Sequence, residues 1–109
     1  RLDTKYHKSI KLLITEIDNE VNEEKDWKHI EPRLDKVYNN FMTSLKNAHP
    51  DLNQNELRVA AYVRMGLSSK EITEIMQKTL KAVDSDRYRL RKKLDIPQNG
   101  SLKKYLLEL

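Results

Sequence analysis

Residues 52–96 read LNQNELRVAAYVRMGLSSKEITEIMQKTLKAVDSDRYRLRKKLDI. The stretch carries helix start and stop signals in regular succession. Asn53 followed by Glu56 is a capping-box start, with Leu57, Val59, Ala60, Ala61 and Val63 in the helix behind it. Gly66 stands where a left-handed C-terminal stop is wanted, and Leu67 follows as its apolar partner. Ser68 to Glu71 is a second capping box, opening a short helix with Ile72, Ile75 and Met76 inward. Gln77-Lys78-Thr79 is the next turn, and Thr79 is the N-cap of a longer helix over 80–94. Asp95-Ile96-Pro97 ends that helix, and Pro97 to Gly100 is a turn. A last helix starts from Ser101, with Leu102, Tyr105, Leu106 and Leu109 packing back. The spacing predicts four helices between 50 and 109.

The composition around this stretch narrows the class. The 109 residues are 38% hydrophobic and 35% charged, with two Gly and three Pro, a mix that favours helices and a core of modest size. With no Cys, neither a disulfide nor a thiolate metal site can form, which suits a reducing compartment. His7, His29 and His49 are scattered, so no metal site is expected. A Gly-rich phosphate loop, a thiol nucleophile and a His beside a Ser or acid in a catalytic motif are all lacking, so no enzyme, catalytic residue or cofactor is expected. No apolar run approaches the roughly 20 residues that span a bilayer. The chain begins at Arg1, and we read it as part of a longer protein, located in the cytoplasm.

Charge is unevenly placed. Residues 1–49 hold 9 Lys+Arg against 9 Asp+Glu. Residues 50–109 hold 12 against 8, which accounts for the whole net charge of +4. Within that half, Arg87, Arg89, Arg91, Lys92 and Lys93 fall in the third helix of the series. An isolated charge run is usually a solvated face. A basic run on the third helix of this series is instead the electrostatic footprint of nucleic-acid binding.

The first half reads as two amphipathic helices. Tyr6, Ile10, Leu13, Ile17 and Val21 share one face of a helix over about 3–24, with a polar break at 19–26. Trp27, Ile30, Leu34, Val37, Phe41 and Leu45 repeat at the same spacing in a second helix. Pro32 lacks an N–H, so it is placed in the first turn of that helix, after a short lead-in over 26–31. The two stripes can bury each other as a hairpin. The first can also meet a second copy of itself, and a homodimer through Tyr6, Ile10, Leu13, Ile17 and Val21 is expected.

Leu52, Glu56, Gly66-Leu67-Ser68, Lys70-Glu71-Ile72, Thr79, Val83 and Leu90 to Leu94 together resemble the LuxR/NarL-type helix-turn-helix effector domain. The resemblance covers about half the chain. With Trp27 and the helix after it, the whole resembles the C-terminal end of Bacteroidetes sensor-regulators that carry a triple-tyrosine module. It implies a transcription regulator, an upstream sensor region in the parent protein, and a parent that can be membrane-anchored. The sequence departs from the family pattern at Lys78, where an apolar residue is usual, with Leu80 a candidate substitute, and at Asp84 and Asp86.

The physical reading of the third helix stands beside the resemblance. Val83, Leu90 and Leu94 share one face, and Lys81, Asp84, Ser85, Tyr88 and Lys92 the other. A major groove admits one helix, whose exposed face near its N-terminus meets base edges. Asp84, Ser85 and Tyr88 are therefore the expected base readers, and matching positions make the base contacts in LuxR-type domains. Asp84 suits cytosine N4. Lys81, Arg89, Lys92 and Lys93 are expected on phosphates, as are Ser68, Ser69 and Lys70 at the start of the preceding helix. Asp84 and Asp86, as acids, would weaken non-specific affinity, and Arg87 would need Glu71 or Glu74 if buried. The expectation is an all-α chain. Residues 1–49 form a helical hairpin or coiled-coil segment for dimerisation or linkage. Residues 50–109 form a four-helix DNA-binding domain of helix-turn-helix type. Its partners are double-stranded DNA and a second copy, with no membrane contact. The alternative is a helical interaction module that does not bind DNA.

Overall fold

The computed structural model describes residues 23–97 and 99–109, which form six helices and no strand. These are α1 (Glu23–Val37), α2 (Phe41–Ala48), α3 (Gln54–Arg64), α4 (Ser69–Met76), α5 (Leu80–Lys93) and α6 (Leu102–Glu108). The expected dimer residues Tyr6, Ile10, Leu13, Ile17 and Val21 lie outside the described residues. The chain divides into two compact units between Thr43 and Ser44, within α2.

In the first unit Trp27, Ile30, Leu34 and Phe41 of the apolar stripe are buried while Val37 is half-buried, and the helix carrying the stripe differs from expectation in two ways. Pro32 lies inside α1 rather than at the start of a helix. It is exposed, and so is Lys28 one turn earlier, whose carbonyl loses the missing N–H. On the solvent side water can satisfy that group, which removes much of what makes an internal proline costly. The stripe is also not one helix. Asn39 and Asn40 both adopt left-handed backbone, at φ 56° and 62°, and Asn40 N–H closes back on the Asp35 carbonyl at 2.7 Å. Asn tolerates this region better than most residues, so it can end a helix where glycine is absent. The Asp35 carboxylate then starts α2. It accepts from the Met42 N–H at 2.7 Å, from the Thr43 N–H at 3.2 Å, and from the Thr43 hydroxyl at 2.6 Å.

In the second unit α3 is the central helix. Every residue from Glu56 to Val63 is buried, and α5 and α6 both pack against α3, while α4 packs against α5. A helix buried nearly all round needs its ends satisfied locally. Asn53 accepts from the Glu56 N–H at 2.8 Å, and the Glu56 carboxylate accepts from the Asn53 N–H at 2.9 Å. At the other end Gly66 sits at φ 87°. Leu67 N–H reaches the Tyr62 carbonyl at 3.0 Å and Gly66 N–H the Val63 carbonyl at 2.9 Å, the paired closure that left-handed stops make. Ser68 and Glu71 form the second capping box, starting α4. The same closure ends α5 without glycine. Asp95 takes φ 58°, and Ile96 N–H reaches the Arg91 carbonyl at 3.1 Å. Ser101 caps α6, where Leu102 and Leu106 are buried. Leu109, expected to pack back, is 37% exposed. His49 Nε2 lies 2.6 Å from the Tyr105 hydroxyl, tying the segment after α2 to α6.

Candidate nucleic-acid interface

The site is built on α5. Thr79 has extended backbone and its hydroxyl accepts from the Ala82 N–H, which fixes the first turn. Val83 and Leu90 are fully buried and Leu94 nearly so. Each buried aliphatic side chain contributes about 1.5–3 kcal/mol, so this face anchors α5 against α3 and α4. The opposite face is left to solvent. Lys81, Asp84, Ser85, Tyr88, Arg89 and Lys92 are all exposed, and Leu80, Lys81, Asp84, Ser85, Tyr88 and Arg89 line a shallow concavity. Tyr88 is 59% exposed. The Lys92 ammonium lies 5.1 Å from the Tyr88 ring centroid, so the cation is held over the aromatic face. The three expected base readers are thus brought together, with Lys81 and Lys92 flanking them.

At the start of α4 the expected phosphate contacts differ among themselves. Lys70 is exposed and Ser69 half-buried. The Ser68 oxygen accepts from the Glu71 N–H at 3.1 Å. Its hydroxyl hydrogen remains able to donate to an anion.

Two expected phosphate contacts are committed to protein partners. Lys93 turns away from the exposed row. Its ammonium lies 2.9 Å from Glu56 Oε1 and 3.3 Å from the Asp51 carbonyl. The Glu56 side chain is only 3% exposed, and a buried carboxylate is costly unless paired, so Lys93 serves α3 first. Arg89 pairs with Asp86 one turn back on α5. It is 57% exposed and can still reach outward.

Asp86 is not a free acid on the interface. Its side chain is 4% exposed and sits between Arg89 and Lys78, whose ammonium lies 2.9 Å away. Lys78 also donates to Asn55 Oδ1 at 2.7 Å. Lys78 therefore fills the turn before α5 by ion pairing, and Leu80 does not substitute for it, being 55% exposed. Of the two acids on α5, only Asp84 faces solvent. Arg87 is half-buried, and burial lowers its pKa from the ordinary value. The acid that offsets this is Asp84 on its own helix, not Glu71 or Glu74, while Arg91 adds to the lowering.

Three features were not expected from the sequence: Leu80 on the exposed row, Asn55 as a partner of Lys78, and the burial of Asp86. A signal for the last of these lay in the chain. Lys78 and Asp86 are opposite charges, one in the turn and the other in the helix that the turn starts.

Among the described residues no group of three or more His, Asp or Glu could hold a metal ion, and no helix is long and apolar enough to cross a membrane. A scan against models of known protein families found no match, nor did searches of curated proteins and of solved structures.

Proposed function

We propose that this chain is the DNA-binding end of a signal-responsive transcription regulator, with α5 as the helix that enters the major groove. The observation that carries this reading is the division of α5 into a buried face of Val83, Leu90 and Leu94 and an exposed row of Lys81, Asp84, Ser85, Tyr88 and Lys92. A short, exposed, positively flanked helix held rigidly from behind is what a groove requires. In this reading α4, the turn over 77–79 and α5 form a helix-turn-helix of LuxR/NarL type. Asp84, Ser85 and Tyr88 meet base edges. Lys70, Lys81 and Lys92 meet phosphates, with Arg89 joining them when it leaves Asp86. The spacing of Tyr6, Ile10, Leu13, Ile17 and Val21 supports a homodimer that would present two such helices to two half-sites. Selection of bound duplexes from random DNA at a fixed salt concentration tests the proposal. Enrichment of a shared site supports it, and a pool that stays random after several rounds contradicts sequence-specific binding.

A second reading has one observation in its favour. Leu80 and Tyr88 are large apolar side chains more than half exposed on the same face as Asp84, which would also suit a helical protein partner. A salt-independent association with protein, and none with DNA, would select it.

A further inference from the structure

Leu80 has no evident structural task. It is the first residue of α5, follows the Thr79 cap and is 55% exposed. The turn before it is filled by Lys78 with Asn55 and Asp86, so Leu80 is not needed as an apolar plug. It lines the same concavity as Asp84, Ser85 and Tyr88, one and two turns before Asp84 and Tyr88. Residues at the N-terminal end of a groove-entering helix are the ones that reach base edges. The apolar group that protrudes from a base pair into the major groove is the methyl at pyrimidine C5.

We infer that Leu80 is a specificity-determining residue that packs on the C5-methyl of a pyrimidine. Thymine carries that methyl in unmodified DNA, and 5-methylcytosine carries the same group beside the N4 amine that Asp84 could accept from. The inference rests on the DNA-binding reading above. It adds an apolar contact to a face whose other readers are polar or amphipathic, and it predicts that a methyl is sensed independently of charge.

The test uses the full chain and a duplex selected from random DNA with it. Each thymine is replaced in turn by deoxyuridine, which removes only the methyl, and in a second arm each cytosine is replaced by 5-methylcytosine. Affinity is measured for the parent and for Leu80→Ala at one salt concentration. The expected result is one position where loss of the methyl weakens the parent roughly fourfold, the value of burying one methyl-sized group, and leaves Leu80→Ala unaffected. A gain of similar size at a methylated cytosine, again absent in Leu80→Ala, would assign the contact to that base instead and support the same inference. A parent indifferent to every methyl, or a Leu80→Ala variant with the same sensitivities as the parent, overturns it while salt-dependent binding leaves the DNA reading standing. Absence of binding to any duplex overturns both.

Discussion

Replacing Asp86 by Asn removes the charge that holds α5 to the turn before it. Its carboxylate is 4% exposed and pairs with Lys78, 31% exposed, and with Arg89, 57% exposed. Breaking a fully buried ion pair costs about 3–5 kcal/mol, because one charge stays buried without its partner. Lys78 is about a third solvated and keeps Asn55 Oδ1 at 2.7 Å, so the charge left behind is partly satisfied. The exposed Arg89 pair contributes at most about 1 kcal/mol. Together these place the cost of Asp86→Asn near 2 kcal/mol. With a urea m-value of about 2 kcal/mol/M, typical of a small protein, the unfolding midpoint falls by about 1 M. Asp84→Asn is the control. It removes the same charge from the same helix at an exposed position, where its attraction to the half-buried Arg87 contributes at most about 1 kcal/mol. Urea unfolding followed by circular dichroism measures both. Equal midpoints for Asp86→Asn and Asp84→Asn would refute the argument, since burial and pairing are all that distinguish the two acids.

Lys93→Ala should reduce stability by about 1–3 kcal/mol, since it strips the buried Glu56 of its cation, and should change DNA affinity less than Lys92→Ala does; the opposite order would return Lys93 to the interface. Lys70→Ala and Lys92→Ala should weaken binding to all duplexes alike, whereas Ser85→Ala and Tyr88→Ala should lower preference for the selected site by about 1–3 kcal/mol, and an unchanged preference in Tyr88→Ala would move the reading face elsewhere. Ile10→Asp with Ile17→Asp should give monomers by light scattering that still fold and bind a two-half-site duplex weakly; a parent already monomeric at high concentration would remove the dimer.

What the sequence made legible was local. The pairs Asn53 with Glu56 and Ser68 with Glu71, the Gly66 stop and the Thr79 cap each act within a few residues, so their chemistry can be read in order. The stripe from Trp27 to Phe41 also pointed to the buried side chains Trp27, Ile30, Leu34 and Phe41, with Val37 left half-buried. It did not predict where the helix ends, because apolar spacing runs on through a turn of three residues. The relevant signal was Asn39-Asn40, two residues that accept left-handed backbone, with the Asp35 carboxylate ready to start the next helix. Pro32 was misplaced because the cost of an internal proline depends on which way the orphaned carbonyl faces, and that is a tertiary fact. The same holds for Lys93. Its charge is plain in the sequence, but Glu56, 37 positions earlier, comes beside it only when α3 packs on α5. At the candidate site, the exposed row of α5 followed from helical periodicity, whereas the pairing of Lys78 with Asp86 and the exposure of Leu80 depended on how the turn is filled.

In the proposed DNA-binding role, α5 and the start of α4 present cations to a DNA backbone, so duplex binding should depend steeply on salt. Each phosphate neutralised adds about 0.9 to the fall of log affinity with log salt concentration. With Lys70, Lys81 and Lys92 engaged, titrations between low and physiological salt should give a slope of about −3 per protomer, steeper where Arg89 joins them. A slope near zero, or no association with duplex DNA at low salt, would rule out a DNA-binding role for α5.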